Sequence, residues 1–171
     1  MIVREVAARF WMPDPLVASS LIFACALGAI AGAWIFQSLG FAPCELCLEQ
    51  RPAYYFGVPL AAIAMILALR QRPPYLPSIL ALIGAIFAAN AFFGAYHSGV
   101  EFKFWPGPTG CTGAMTGPLK AADLLSQLAA IKVVRCDEVS LRIFGLSLAN
   151  WNTLISAALS ALAWRGARAA S

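Results

Sequence analysis

Charged side chains and histidine are scarce in this sequence. Only 12% of the 171 residues are charged and one is a histidine, whereas about 25% of the residues in a soluble domain are charged. The sequence also lacks a basic run for nucleic acid, a glycine-rich phosphate loop and a dinucleotide-binding pattern. These absences argue against a soluble enzyme, a nucleotide-dependent enzyme and a nucleic-acid-binding protein.

Apolar residues are abundant, at 61% of the chain, and fall in blocks. A membrane-spanning helix needs about 20 mostly apolar residues, and only helices satisfy their backbone groups within one such segment. Four blocks approach this length: 16–36, 53–69, 76–96 and 143–164. The sequence therefore predicts an all-α integral membrane protein. We expect a four-helix transmembrane bundle in a single domain, 1–171, with outer loops at 37–52 and 97–142.

The distribution of charge predicts the orientation in the membrane. The segments on the side of the two termini account for the whole net charge of +4, and the opposite side is balanced. Because lysine and arginine collect in short cytoplasmic segments, we expect both termini to be cytoplasmic and both outer loops to be periplasmic. The "AGA" at 31–33 resembles a signal-peptidase site, but the apolar run continues through "WIF", so we expect the first span to be retained.

The cysteines are distributed unevenly. Cys25 lies within the first predicted span, and the other four lie in the outer loops. Disulfides persist outside the cytoplasm, so the four outer cysteines indicate thiol–disulfide chemistry. Four cysteines allow three pairings; Cys44 and Cys47 are close enough to pair locally, which leaves Cys111 with Cys136.

The segment between the last two cysteines predicts a short helix of its own. Leucine and isoleucine share one face of residues 119–132. Such a helix either lies on the membrane surface or packs within the loop, and the sequence leaves both alternatives open.

The surroundings of the CxxC pair favour a reactive thiol. Pro52 suits the first turn of the second span, so we expect Cys47 just before a helix N-terminus and near Arg51. Both features favour a thiolate, which is the nucleophile in disulfide exchange. The alternatives are a structural staple and a zinc site. Zinc is disfavoured because the sequence has no second tight cysteine pair and no histidine besides His97, so we predict no metal.

Two features of the spans predict how the helices pack. Gly28 and Gly32 form a small-residue ridge that predicts close helix contact, with Cys25 as a small packing residue. Asn90 is a polar residue within the third predicted span, so we expect its amide to form a hydrogen bond to a neighbouring helix.

The motifs together resemble a known family. "CELCLEQR" lies between the first two spans, and "GPTGCTG" and "VVRCDE" lie between the last two. This combination resembles the bacterial disulfide-bond-formation protein B (DsbB) family over residues 16–164. The resemblance implies an inner-membrane oxidoreductase that reoxidises a periplasmic DsbA-type thiol oxidase and passes the electrons to ubiquinone, or to menaquinone. Apart from that partner, we expect contacts with membrane lipid and none with nucleic acid.

The resemblance also implies a role for each outer cysteine. The partner would attack Cys111, the released Cys136 would attack Cys44, and Cys47 would then donate to the quinone. The segment between Cys111 and Cys136 lacks the aromatic residues of the best-known members of the family, which leaves the preference among partners open.

Two further residues match the quinone site implied by the resemblance. Arg51 corresponds to an arginine that stabilises the quinone, and His97 is similar in placement to a histidine near it. Two other readings remain: a thiol–quinone enzyme of the vitamin K epoxide reductase type, and a disulfide-stapled or metal-binding membrane scaffold without enzyme activity.

Overall fold

The computed structural model describes most of the chain. The described residues are 13–70, 73–108, 111, 135–139 and 141–171. The helix predicted at 119–132 lies outside them. The elements are α1 (Pro15–Ser38), α2 (Glu45–Glu49), α3 (Pro52–Arg70), α4 (Leu76–Glu101), β1 (Arg142–Ile143), β2 (Leu146–Ser147) and α5 (Leu148–Ala170).

The protein is mostly helical, as predicted. Among the described residues, three segments are long and apolar enough to cross a membrane: Pro15–Ser38, Glu45–Arg70, in which α3 directly follows α2, and Leu76–Glu101. They indicate a multi-pass membrane protein. The fourth long helix, α5, carries amide and hydroxyl side chains in its first half and arginines near its end. The fourth span therefore remains a prediction.

The predicted fourth span, 143–164, is wrong at its start. β1 and β2 form an antiparallel hairpin, and Phe144 and Gly145 close it with φ angles of 51° and 82°. Two consecutive left-handed residues match the twist of a two-residue hairpin. The Ser147 side chain then accepts a hydrogen bond from the backbone N–H of Asn150 at 3.1 Å and caps α5. The turn was not predicted because it lies within an apolar run. Composition alone does not distinguish a hairpin with apolar strands from the start of an apolar helix.

The four long helices pack around one apolar core. The most extensive contact joins α4 and α5, and α1 lies against α3 and α5. Glycines allow the close approach of α4 to α5: a Cβ on Gly94 would lie 2.6 Å from Oγ1 of Thr153. Small residues at helix crossings serve this purpose in membrane proteins. A second, smaller cluster lies at the outer end of the bundle and contains Cys44, Leu46, Val100, Cys111 and Cys136.

The small-residue ridge of α1 does not pack as predicted. A Cβ on Gly28 or Gly32 would meet no atom of the described residues within 4 Å beyond its own helix, and Cys25 is exposed. The prediction of close helix contact at these residues is wrong. Gly28 and Gly32 instead line a cavity, because the face of α1 that they occupy lies beside open space in the bundle.

Candidate redox site

The CxxC pair occupies one helical turn. Cys44 is the N-cap residue of α2, and its Sγ accepts a hydrogen bond from the backbone N–H of Cys47 at 3.3 Å. The two Sγ atoms lie 2.9 Å apart. We expected Cys47 just before the helix that begins at Pro52, and this expectation is wrong: Cys47 lies inside α2, and Cys44 is the residue at a helix start.

Cys44 is also the cysteine whose thiolate is stabilised. Its Sγ lies 3.5 Å from Nε2 of His97, and His97 is only 1% exposed. The hydrogen bond with the Cys47 side chain, opposed by burial and supported by His97, lowers the pKa of the Cys44 thiol from 9.0 to about 5. The sequence favoured Cys47 as the thiolate, but the donors converge on Cys44.

The second cysteine pair is a disulfide. Cys111 and Cys136 are bonded, with their Cα atoms 5.2 Å apart at a sequence separation of 25, so the predicted pairing of these two is confirmed. Both are buried in the same cluster as Cys44, and Cys47 packs against that cluster. Cys44 and Cys47 are thiols in this structure. The fold therefore brings all four predicted cysteines together, although they come from two separate loops.

A cavity of about 370 Å³ opens beside the CxxC pair. Both thiols lie in its wall together with Arg51 and His97. Nη1 of Arg51 donates a hydrogen bond to Oε1 of Gln37 at 2.8 Å, which orients the guanidinium. Most of the remaining wall is apolar and comes from α1, the hairpin and α5; it includes Gly28, Ile30, Phe36, Ile143, Trp151 and Ile155.

Three potential metal-binding atoms also meet here. Sγ of Cys44, Sγ of Cys47 and a ring nitrogen of His97 lie within 4.8 Å of one another. Zinc binds through such donors, but structural sites contain four, and among the described residues this group contains three. The same spacing suits a histidine that stabilises a thiolate.

A buried hydrogen-bond network begins on the far side of the imidazole. Nδ1 of His97 lies 2.9 Å from Nε2 of Gln50, and Oε1 of Gln50 accepts a hydrogen bond from Nδ2 of Asn152. Gln50 is 4% exposed. Neither Gln50 nor Asn152 was predicted as a site residue from the sequence. Each is a polar residue beside or within an apolar segment, and this feature of the sequence could have identified them as candidates for a buried hydrogen bond.

The network continues into the bundle. Oδ1 of Asn152 accepts hydrogen bonds from the Tyr54 hydroxyl at 2.6 Å and from Nδ2 of Asn90 at 3.3 Å. Asn90 also donates to Oγ of Ser156 at 2.9 Å. The predicted hydrogen bond from Asn90 to a neighbouring helix is confirmed, because Asn152 and Ser156 belong to α5 while Asn90 belongs to α4.

Two carboxylates, those of Glu101 and Glu138, also border the cavity and were missed. Glu101 ends α4 and lies in the cavity wall, where the Ser147 hydroxyl donates a hydrogen bond to its Oε2. The hairpin that places Ser147 there is the element that the sequence analysis did not predict.

Comparison with known proteins agrees with this geometry. The family model described as "Disulfide bond formation protein DsbB" matches residues 16–165, which is most of the chain. No curated protein and no solved structure matches the chain.

Proposed function

The chain belongs to the DsbB family of membrane thiol–disulfide oxidoreductases, and from this premise we propose that it oxidises a periplasmic DsbA-type dithiol protein and reduces a membrane quinone. It would act in the bacterial inner membrane as a single domain with four spans, with both termini cytoplasmic and the loops at 37–52 and 97–142 periplasmic. One observation carries the proposal: both cysteine pairs meet in one buried cluster, and one pair also lies in the wall of a largely apolar cavity.

The first half of the reaction exchanges disulfides with the partner. A partner thiolate attacks Sγ of Cys111; the partner–Cys111 bond forms, the Cys111–Cys136 bond breaks and Cys136 leaves as a thiolate. The partner's second thiolate then attacks its own sulfur in this mixed disulfide, which oxidises the partner and releases Cys111. Because Cys111 is only 3% exposed, its surroundings must rearrange before a partner thiolate reaches its Sγ.

The second half transfers the electron pair to the CxxC cysteines. The Cys136 thiolate attacks Cys44 of an oxidised Cys44–Cys47 pair, and Cys47 leaves. Cys111 then attacks Cys136, which restores the Cys111–Cys136 disulfide and releases Cys44 as a thiolate. Each step needs a thiolate nucleophile and a stable leaving thiolate, and the donors around Cys44 stabilise its leaving form.

The cavity fits a quinone headgroup. A volume of about 370 Å³ lies within the usual range of small-molecule sites, about 300 to 1,000 Å³ with mostly apolar walls and a few polar groups. Arg51 and His97 would supply the polar contacts, and the apolar wall would hold the ring. Cys44 and Cys47 would return to a disulfide by giving two electrons and two protons to a quinone held there, which would be ubiquinone, or menaquinone in a host that uses it.

The test is a coupled assay with the full chain in detergent. A reduced DsbA-type protein and a short-chain ubiquinone are added, and quinone reduction is followed by absorbance. We expect turnover by the wild type and none by Cys47→Ser, since one thiol cannot form the intramolecular disulfide. Equal turnover by both would show that the CxxC pair is not the electron route.

Three further results would favour the alternatives. Absence of turnover with both ubiquinone and menaquinone analogues, together with disulfides that resist mild reductant, would favour a scaffold. Stoichiometric zinc release on thiol modification would favour a metal site. Turnover with a quinone but with no DsbA-type partner would favour a thiol–quinone enzyme of the vitamin K epoxide reductase type.

A further inference from the structure

We propose that Gln50 and Asn152 are positioning residues that hold His97 in the tautomer with its proton on Nε2, so that the ring donates a hydrogen bond to Cys44. This inference rests on the proposed function only in taking Cys44 as a redox cysteine. Its test does not require turnover.

The groups at the inner end of the network determine which way its amide side chains are oriented. An amide side chain has one accepting oxygen and one donating nitrogen. Oδ1 of Asn152 receives two donors, the Tyr54 hydroxyl at 2.6 Å and Nδ2 of Asn90 at 3.3 Å. The Asn152 oxygen therefore faces these two groups, and its nitrogen faces Gln50.

The orientation of Gln50 follows from that of Asn152. Because Nδ2 of Asn152 donates to Oε1 of Gln50, the other end of the Gln50 amide, Nε2, faces Nδ1 of His97 at 2.9 Å. An N–H group at this distance requires a lone pair on Nδ1. Neutral imidazole carries one ring proton, so that proton is on Nε2.

The tautomer determines what Cys44 meets. Nε2 of His97 lies 3.5 Å from Sγ of Cys44, and with a proton on Nε2 the ring donates to the sulfur. The opposite tautomer would direct a lone pair at a thiolate and destabilise it. The same tautomer leaves no lone pair on Nε2 for a metal ion.

Because the network is buried, its amide groups are held in one orientation. His97 is 1% exposed and Gln50 4% exposed, and Tyr54 and Asn90 are also buried. A buried polar group without a partner costs about 1–3 kcal/mol. If one amide were reversed, its nitrogen would face another donor and its oxygen another acceptor, unless the neighbouring amides were reversed as well.

Nitrogen NMR tests this tautomer directly, because the chain contains a single histidine. The full chain, labelled with ¹⁵N-histidine, would be studied in detergent with the Cys44–Cys47 pair reduced and no quinone added. We expect the wild type to show one tautomer, with an unprotonated Nδ1 and a protonated Nε2. A protonated Nδ1, or averaged shifts that indicate both tautomers, would overturn the proposal.

The variant Asn152→Leu tests control from a distance. It keeps His97 and Gln50 but removes the group that orients Gln50, so the two nitrogen shifts should move towards each other as the second tautomer becomes populated. Alkylation of Cys44 at fixed pH should slow severalfold. A wild-type spectrum in this variant would remove Asn152 from the mechanism, and a wild-type spectrum in Gln50→Leu would remove Gln50.

Ser160→Ala is the matched control. It also deletes a buried hydrogen bond between α5 and α4, from Oγ of Ser160 to the Gly84 carbonyl at 2.8 Å, but lies outside the network. We expect its spectrum to match the wild type; a change of tautomer here would mean that general loosening of the α4–α5 contact, not the amide chain, sets the proton position. The spectrum is interpretable even if the protein reduces no quinone, and quinone reduction can succeed even if the tautomer assignment fails.

Discussion

At the scale of single residues, Cys44 differs from Cys47 although the two share one motif. Cys44 precedes α2, so its sulfur lies 2.9 Å from Sγ of Cys47, accepts a hydrogen bond from the backbone N–H of Cys47 and faces His97. Hydrogen bonds to the charged form favour that form and lower the pKa of a thiol. The first thiolate of the reduced pair is therefore expected on Cys44.

This difference predicts a pH dependence of reactivity. In a reduced variant with Cys111→Ser and Cys136→Ser, the alkylation rate of Cys44 should rise with pH through about 5, instead of the ordinary 9.0, and level off above. The sign follows from the lowered pKa: the thiolate persists above this value and is lost as pH falls through it. Mass spectrometry of the alkylated peptides would separate Cys44 from Cys47 and Cys25.

The variant His97→Leu provides the comparison. Without the imidazole, the midpoint for Cys44 should move upwards, because one of the groups that lower the pKa is removed. A midpoint near 9.0 in the protein that retains His97 would contradict the assignment of the thiolate to Cys44.

At the scale of elements, the break between α2 and α3 separates two neighbouring side chains. The backbone N–H of Arg51 bonds to the Leu48 carbonyl at 3.1 Å, which ends α2 in a tight turn before Pro52 begins α3. Gln50 is then buried, whereas Arg51 is half-buried, and both side chains line the cavity. One turn of the chain thus supplies both a residue of the buried network and a proposed quinone contact.

Helix α1 offers a test of the cavity. Gly32 lines it, and a Cβ there would meet no described atom within 4 Å beyond its own helix, so Gly32→Leu should fold and project into the cavity. We expect the quinone KM to rise roughly tenfold, which corresponds to about 1.4 kcal/mol of binding free energy. Exchange with the partner should be unchanged.

Ala31→Leu is the control for this substitution. It adds the same side chain one residue earlier, at an exposed position outside the cavity lining, and should leave the quinone KM unchanged. Equal KM values for Gly32→Leu and the wild type would show that the quinone binds elsewhere.

At the scale of the whole molecule, the charge asymmetry and the number of spans are linked. The charge asymmetry predicts that both termini are cytoplasmic, and termini on the same side require an even number of spans. Three described segments are apolar enough to cross, so the topology depends on α5. The polar residues in α5 do not oppose a span, because the interior of a helix bundle tolerates hydrogen-bonded side chains.

Reporter fusions would determine this topology. Alkaline phosphatase fused after Ser171 should be inactive, because the C-terminus is expected in the cytoplasm, whereas green fluorescent protein at the same position should fluoresce. Phosphatase fused after Pro108, beyond the third span, should be active. An active phosphatase after Ser171 would show that α5 does not cross the membrane.

Local sequence determined much of this protein. The apolar blocks predicted the helices because hydrophobic length alone decides whether a segment can cross a bilayer. The positions of the cysteines predicted the Cys111–Cys136 pairing, since Cys44 and Cys47 are close enough in sequence to pair with each other and this leaves Cys111 with Cys136. The hairpin was not predictable in this way, because Phe144 and Gly145 interrupt an apolar run without changing its composition.

Only the tertiary structure decided which groups meet at the thiols. Cys44 and His97 are 53 residues apart, and Gln50 and Asn152 are 102 residues apart. No periodicity relates residues so distant; the packing of α4 and α5 beside α2 brings them together. The sequence therefore determined the cysteines and the helices that carry them, whereas the location of the thiolate and the polarity of the hydrogen-bond network depend on side-chain contacts that form only when the helices pack.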